Sequence, residues 1–178
     1  MGSTAPPAAD IPDDAHVAEE EVHRTSLAVY ATITLLGVTA AASWKRFVTD
    51  EPELIVTLVG ASLAVVIAHA WSSVMAQRLV HGTRLSRRQV TTEIVVSLSF
   101  FIATGIAIAA IVLGQVVLDL EFADTVLLTE LVLVGALFVL GMLGARRAGT
   151  GWWRALAWGA VDASIGVVIM VLKLVLGG

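Results

Sequence analysis

Residues 94–118, IVVSLSFFIATGIAIAAIVLGQVVL, decide the fold of this protein, because the whole stretch has no acidic, basic or histidine side chain. An α-helix rises 1.5 Å per residue, so about 20 apolar residues cross the roughly 30 Å hydrocarbon core of a bilayer. Polar and apolar residues do not alternate here as they do in the strands of a membrane barrel. The stretch therefore predicts a membrane-spanning helix.

Four further apolar segments of similar length complete the pattern, at residues 25–44, 54–76, 125–145 and 155–176. The 178-residue chain is 57% hydrophobic and 15% charged, whereas soluble domains are about 45–50% apolar and about 25% charged. We predict an all-α integral membrane protein, a bundle of five transmembrane helices over residues 25–178. Residues 1–24 are acidic and rich in Pro and Ala and predict a mostly disordered tail, whose residues 13–24 are able to form a short helix.

The distribution of basic residues predicts how the bundle is oriented. With five spans, eight of the eleven Lys and Arg residues lie on the side of the N-terminus, in the tail and in the connectors 77–93 and 146–154. An excess of Lys and Arg marks the cytoplasmic side. We predict a cytoplasmic N-terminus and an outside C-terminus in a bacterial-type plasma (inner) membrane.

Three ionisable residues fall inside the predicted spans: His69, Glu130 and Asp162. A charged residue at the centre of a membrane helix costs roughly 2.5–3.5 kcal/mol, so such residues usually face the interior of a bundle. By helical rise, His69 and Asp162 lie at a similar depth, about 12–14 Å from the cytoplasmic boundary. Gly159 and Gly166 flank Asp162 on one helical face and allow close approach of a neighbouring helix. A contact between His69 and Asp162 is compatible with their depth.

Hydroxyl-bearing and ionisable side chains form stripes on four of the spans. They suggest a polar pathway for a proton, cation or small solute, or hydrogen bonds that hold the helices together. For the hydroxyl groups we favour the second interpretation, and for Asp162 the first. The candidate pathway residues are Asp162, His69, Glu130, Glu93, Ser62, Ser73 and Thr32.

Glu130 has two interpretations, and the sequence leaves both open. If its span begins near Asp124, Glu130 lies about 8–9 Å deep. Together with Asp119, Glu121 and Asp124 it would form an acidic outer vestibule that concentrates cations. Alternatively, its carboxylate snorkels to the membrane interface.

The N-terminal tail includes one weak metal-binding pattern. His16, Glu20 and His23 lie at positions i, i+4 and i+7, a spacing at which imidazole and carboxylate groups can bind a divalent metal. A solvated charge run is the simpler interpretation. The chain has no cysteine and no phosphate-binding loop, nucleophile elbow or HExxH motif, so we expect neither an enzyme nor a cofactor. Its basic residues have no aromatic residues interleaved, which disfavours nucleic acid as a partner.

The C-terminal quarter, ALFVLGMLGARRAGTGWWRALAWGAVDASIGVVIMVLKLVLGG, resembles the end of vacuolar iron transporter-like membrane proteins. The shared features are a glycine-containing span, a short basic loop and a final span rich in Gly and Ala. The resemblance implies five spans with the N-terminus inside. The family's metal motifs are missing: the first span has no Asp-Gly, and the second has His69 and Met75 but no carboxylate.

These observations together predict a small transporter-like protein that moves a cation or protons through a buried polar site. The alternative is a non-catalytic membrane subunit or scaffold that packs against a partner membrane protein through its glycine-bearing faces. The expected partners are the lipid bilayer, a divalent cation or proton, and either further copies of the chain or another membrane protein.

Overall fold

The computed structural model describes residues 13–44, 47–81, 91 and 100–177, with the backbone alone for residues 13–24, 77, 80, 81, 176 and 177. The described residues contain no strand. The elements are α1 (Asp13–Ser43), α2 (Glu51–His81), α3 (Phe100–Val112), a π-helical segment (Leu113–Val117), α4 (Phe122–Arg147) and α5 (Trp152–Gly177). The predicted all-helical fold is confirmed.

Five of the described helical stretches are long and apolar enough to cross a membrane. They are Thr25–Ser43, Glu51–Ala76, Phe100–Val117, Phe122–Arg147 and Trp152–Val175. Each coincides with a predicted span, although the first residues of the third one, 94–99, lie outside the described ranges. The third span ends in a π-helical turn, in which the Leu118 N–H donates to the Leu113 carbonyl.

Helix α1 includes residues that precede its apolar segment. It begins at Asp13 and continues without a break to Ser43, because neither Pro nor Gly interrupts residues 13–36. The short helix considered for residues 13–24 and the first apolar segment are therefore one element. Residues 1–12 of the predicted tail lie outside the described part.

Local hydrogen bonds set two of the helix ends. Before α2, Asp50 accepts a bond from the Glu53 N–H at 2.8 Å, while Glu53 accepts one from the Thr49 N–H at 3.1 Å, as in a capping box. After α4, Gly149 has a φ of 77°, and the N–H groups of Gly149 and Thr150 return to carbonyls of the last turn. This Schellman arrangement reverses the chain within a few residues, so α5 runs back along α4.

Helix α1 lies at the centre of the bundle and packs against α2, α3, α4 and α5. Buried residues recur along it every three or four positions, including Ala31, Leu35 and Thr39. In contrast, only 17% of the span window is buried in α2 and in α5. Helices α2 and α5 thus flank α1, and most of their surface faces outward.

Helices α4 and α5 form the most extensively packed pair. Glycines permit this approach: a Cβ added to Gly159 would lie 2.6 Å from the Phe138 carbonyl oxygen. Gly166 sits where α5 meets both α4 and α1, against Val134 and Leu36. The small-residue face predicted around Asp162 is therefore an internal contact with α4.

Candidate intramembrane polar site

The principal polar contact between the described membrane helices is an ion pair between α4 and α5. Lys173 Nζ donates to Glu130 Oε1 at 2.7 Å. The Glu130 side chain is 3% exposed and that of Lys173 is 24% exposed. Both residues lie inside the spans Phe122–Arg147 and Trp152–Val175.

The directions of the two helices explain why these side chains meet. In an α-helix the Cα–Cβ bonds tilt toward the N-terminus. Helix α4 has its N-terminus at the end of the bundle where α5 has its C-terminus, so Glu130 leans toward that end and Lys173 leans away from it, toward the middle of the bundle. The two side chains converge, and Lys173 does not extend toward the near end of its own helix.

The structure buries Glu130 within the bundle. The residue is only 2% exposed, whereas Asp119, Glu121 and Asp124 are exposed. The snorkelling carboxylate and the acidic vestibule both stay predictions. The burial of a carboxylate is offset here by a direct charge-assisted hydrogen bond.

A cavity of about 420 Å³ adjoins the ion pair at this end of the bundle. Its wall includes Lys173, two hydroxyl residues and a larger apolar part. The lining residues are Ser43, Val48, Thr49, Phe122, Ala123, Val126 and Lys173. Lys173 therefore both lines the cavity and donates to the buried Glu130 carboxylate.

Except for Thr125, whose buried Oγ1 has no hydrogen-bond partner among the described residues, the buried hydroxyl groups bond to backbone carbonyls or to one another. Thr32 donates to the Ala28 carbonyl at 2.8 Å, within its own helix. The Ser62 and Thr104 hydroxyls lie 2.6 Å apart and join α2 to α3, and both residues are buried. These contacts have the character of interhelical and intrahelical hydrogen bonds, the interpretation favoured above for the hydroxyl groups. Ser73 is half-buried on α2.

Asp162 lies in the contact between α5 and α4. Its carboxylate rests against Gly141, since a Cβ added there would collide with Asp162 Oδ2. The residue is half-buried. Among the described residues no hydrogen bond or ion pair joins it to another group. Asp162 was expected to face the interior of the bundle, and the structure buries it there only in part.

The structure does not bring His69 and Asp162 together. His69 lies on α2, with its Nε2 buried, and Asp162 lies on α5. In the described part of the chain α2 and α5 have no substantial packing contact, because α1 lies between them. Equal depth in the membrane was necessary for the expected contact, but the lateral order of the helices rules it out.

The remaining candidates fall outside the described residues. Glu93 lies in an undescribed segment, and the side chains of His16, Glu20 and His23 belong to the stretch described by its backbone alone. Among the described side chains, no group of three or more His, Asp or Glu residues is placed to hold a metal ion.

Lys173 is the site residue that sequence reasoning missed. It is one of the three basic residues that the five-span topology places on the outer side, and it interrupts the final apolar run, VVIMVLKLVLGG. A signal was present: Lys173 lies near the end of its span and Glu130 near the start of the preceding one. In an antiparallel hairpin these positions share a similar depth.

Comparisons with known proteins identify no relative of this chain. No protein-family model matches the chain. No curated protein and no solved structure matches it either. The resemblance to vacuolar iron transporter-like proteins therefore stays a prediction.

Proposed function

We propose that this protein is a multi-pass membrane transporter that moves protons, with the Glu130–Lys173 pair as the site that takes up and releases the proton. The observation that carries the proposal is the 2.7 Å contact between a buried carboxylate and an ammonium group within two membrane-length helices. Ionisable residues inside a membrane are costly and commonly mark proton or ion pathways.

The pair is suited to a proton because its two charges compensate each other. When Glu130 takes up a proton, the Lys173 ammonium loses its counter-charge and can turn toward the cavity that it already lines. When Glu130 releases the proton, the pair closes again. Proton uptake is thereby coupled to the position of one lysine side chain.

Proton flux into liposomes that hold only the purified protein tests this proposal. We expect a pH-sensitive dye inside the vesicles to report flux above that of empty liposomes, and Glu130→Gln to abolish it because an amide cannot exchange the proton. Glu121→Gln is the matched control, because Glu121 is an exposed carboxylate on the same side of the bundle.

Glu130→Asp keeps a carboxylate and provides a second variant if Glu130→Gln fails to fold. Undiminished proton flux in a folded Glu130→Gln protein would overturn the proposal. Flux of divalent cations but not of protons would replace it with the cation transporter also expected from the sequence.

A second candidate function is that of a membrane subunit that packs against a partner protein. It is favoured by Asp162, whose half-buried carboxylate has no counter-charge among the described residues. A partner's basic residue would supply one. Under this proposal the protein co-purifies with a stoichiometric partner, and Asp162→Asn releases that partner.

A further inference from the structure

We infer that the cavity beside Lys173 binds a small amphipathic monocarboxylate. The inference deepens the proposed function, because it names the class of solute that would accompany the proton. It starts from the cavity of about 420 Å³, which lies within the range of roughly 300–1,000 Å³ that is usual for small-molecule sites.

The lining sets the polarity of the ligand. Among the described residues, Lys173 is the one charged residue in the cavity wall, and Ser43 and Thr49 are the polar residues of that wall. An ammonium group has three N–H donors, and among the described residues only the bond to Glu130 occupies one of them. The remaining donors favour an oxygen-rich, anionic acceptor, and a carboxylate is the simplest group of that kind.

The rest of the wall sets the ligand's apolar part. Val48, Phe122, Ala123 and Val126 contribute hydrocarbon surface to the cavity that Lys173 also lines. An inorganic anion would leave this surface uncovered, whereas a short alkyl chain or ring would bury it. The cavity thus combines one cationic anchor with an apolar slot.

Charge balance links the site to the proton. With Glu130 ionised, the ammonium group is already neutralised, and a carboxylate in the cavity adds a negative charge near Glu130. With Glu130 protonated, Lys173 and the bound carboxylate form the neutral pair instead. A proton and a monocarboxylate would therefore occupy the site together.

Binding of hexanoate to the purified protein in detergent, measured by isothermal titration calorimetry, tests the inference. Hexylammonium and hexanol have the same chain with a cationic or a neutral head. We expect hexanoate to bind saturably and at least about tenfold more tightly than either of them, because only the anion forms a charge-assisted bond with Lys173.

Two variants separate recognition from folding. Ala123→Leu fills the apolar slot while leaving both residues of the ion pair unchanged, and we expect it to weaken hexanoate binding about tenfold or more. Ala160→Leu is its control, because Ala160 is exposed on α5 and does not line the cavity. Lys173→Arg keeps the positive charge and should retain binding, whereas the double variant Glu130→Gln/Lys173→Met, which leaves no unpaired charge, should lose it.

Equal binding of the three hexyl compounds would overturn the inference, as would unchanged binding in folded Ala123→Leu. The two proposals also fail separately. Proton flux without hexanoate binding would leave the proposed function standing and remove the carboxylate site. Hexanoate binding without proton flux would leave the carboxylate site standing and remove the proposed proton transport.

Discussion

At the residue scale, the buried ion pair dominates the polar chemistry of the bundle. Glu130 is buried with its oxygen 2.7 Å from Lys173 Nζ. Such a pair is a costly way to add stability, since both ions lose solvation, but loss of one partner leaves the other charge uncompensated. The two residues should therefore behave as one unit.

A double-mutant cycle measures this coupling. We expect Lys173→Met to lower the free energy of unfolding by about 3 kcal/mol, because it leaves a buried carboxylate unpaired. Glu130→Gln/Lys173→Met should cost less than Lys173→Met alone, since neither residue is then charged. The measurement is reversible unfolding in mixed detergent micelles, followed by circular dichroism.

Glu121→Gln provides the control for the cycle, because its exposed carboxylate should change stability by less than about 0.5 kcal/mol. Additive effects of the two single changes would contradict the coupling.

At the element scale, close packing of α4 and α5 holds the two halves of the pair in register. Gly141 lies inside α4 and Gly159 inside α5, so neither glycine is there to form a turn. Inside a helix, Gly is unfavourable by roughly 0.8–1 kcal/mol relative to Ala. The close approach of the opposite helix explains both glycines, because a Cβ added at either position would collide with that helix.

A pair of glycine substitutions tests this packing. Gly159→Ala places a Cβ 2.6 Å from the Phe138 carbonyl oxygen, so the helices must separate, and we expect a loss of about 1–3 kcal/mol in unfolding free energy. Gly135→Ala is the matched control on α4, because no atom lies within 4 Å of its added Cβ. It should be neutral or stabilising, since Ala is the better helix former.

Thermal unfolding in detergent distinguishes the two variants. A lower midpoint for Gly159→Ala and an unchanged or higher one for Gly135→Ala is the expected result. Equal destabilisation of both would mean that α4 and α5 do not pack as described.

At the scale of the whole molecule, the described residues form five helices long and apolar enough to cross a membrane, and five crossings would put the ends of the chain on opposite sides of it. The basic turn between α4 and α5, with Arg146 and Arg154, lies at one end of the hairpin, and Glu121 and the cavity lie at the other. The excess of Lys and Arg predicts that the basic end faces the cytoplasm.

Cysteine labelling in intact cells tests this orientation, and the natural chain adds no background because it has no cysteine. We expect Thr49→Cys and Glu121→Cys to react with a membrane-impermeant maleimide added from outside. Ala148→Cys, in the basic turn, should react only after permeabilisation. All three positions are exposed. The reverse pattern would invert the orientation, and labelling of all three from one side would contradict the spans.

The sequence by itself determined the number of spans and their approximate limits. Hydrophobic length is a local property, and a helix satisfies its own backbone hydrogen bonds in lipid, so each apolar run of the required length predicts one crossing without knowledge of its neighbours. The same local reasoning identified Glu130, His69 and Asp162 as ionisable residues within those runs.

Only the tertiary structure decided which of these residues meet. Depth follows from position along one helix, but lateral order depends on packing between segments far apart in the chain. Because α1 occupies the centre, His69 and Asp162 are kept on different sides of it. Because α4 and α5 pack tightly as an antiparallel hairpin, Lys173 reaches Glu130 and becomes part of the site.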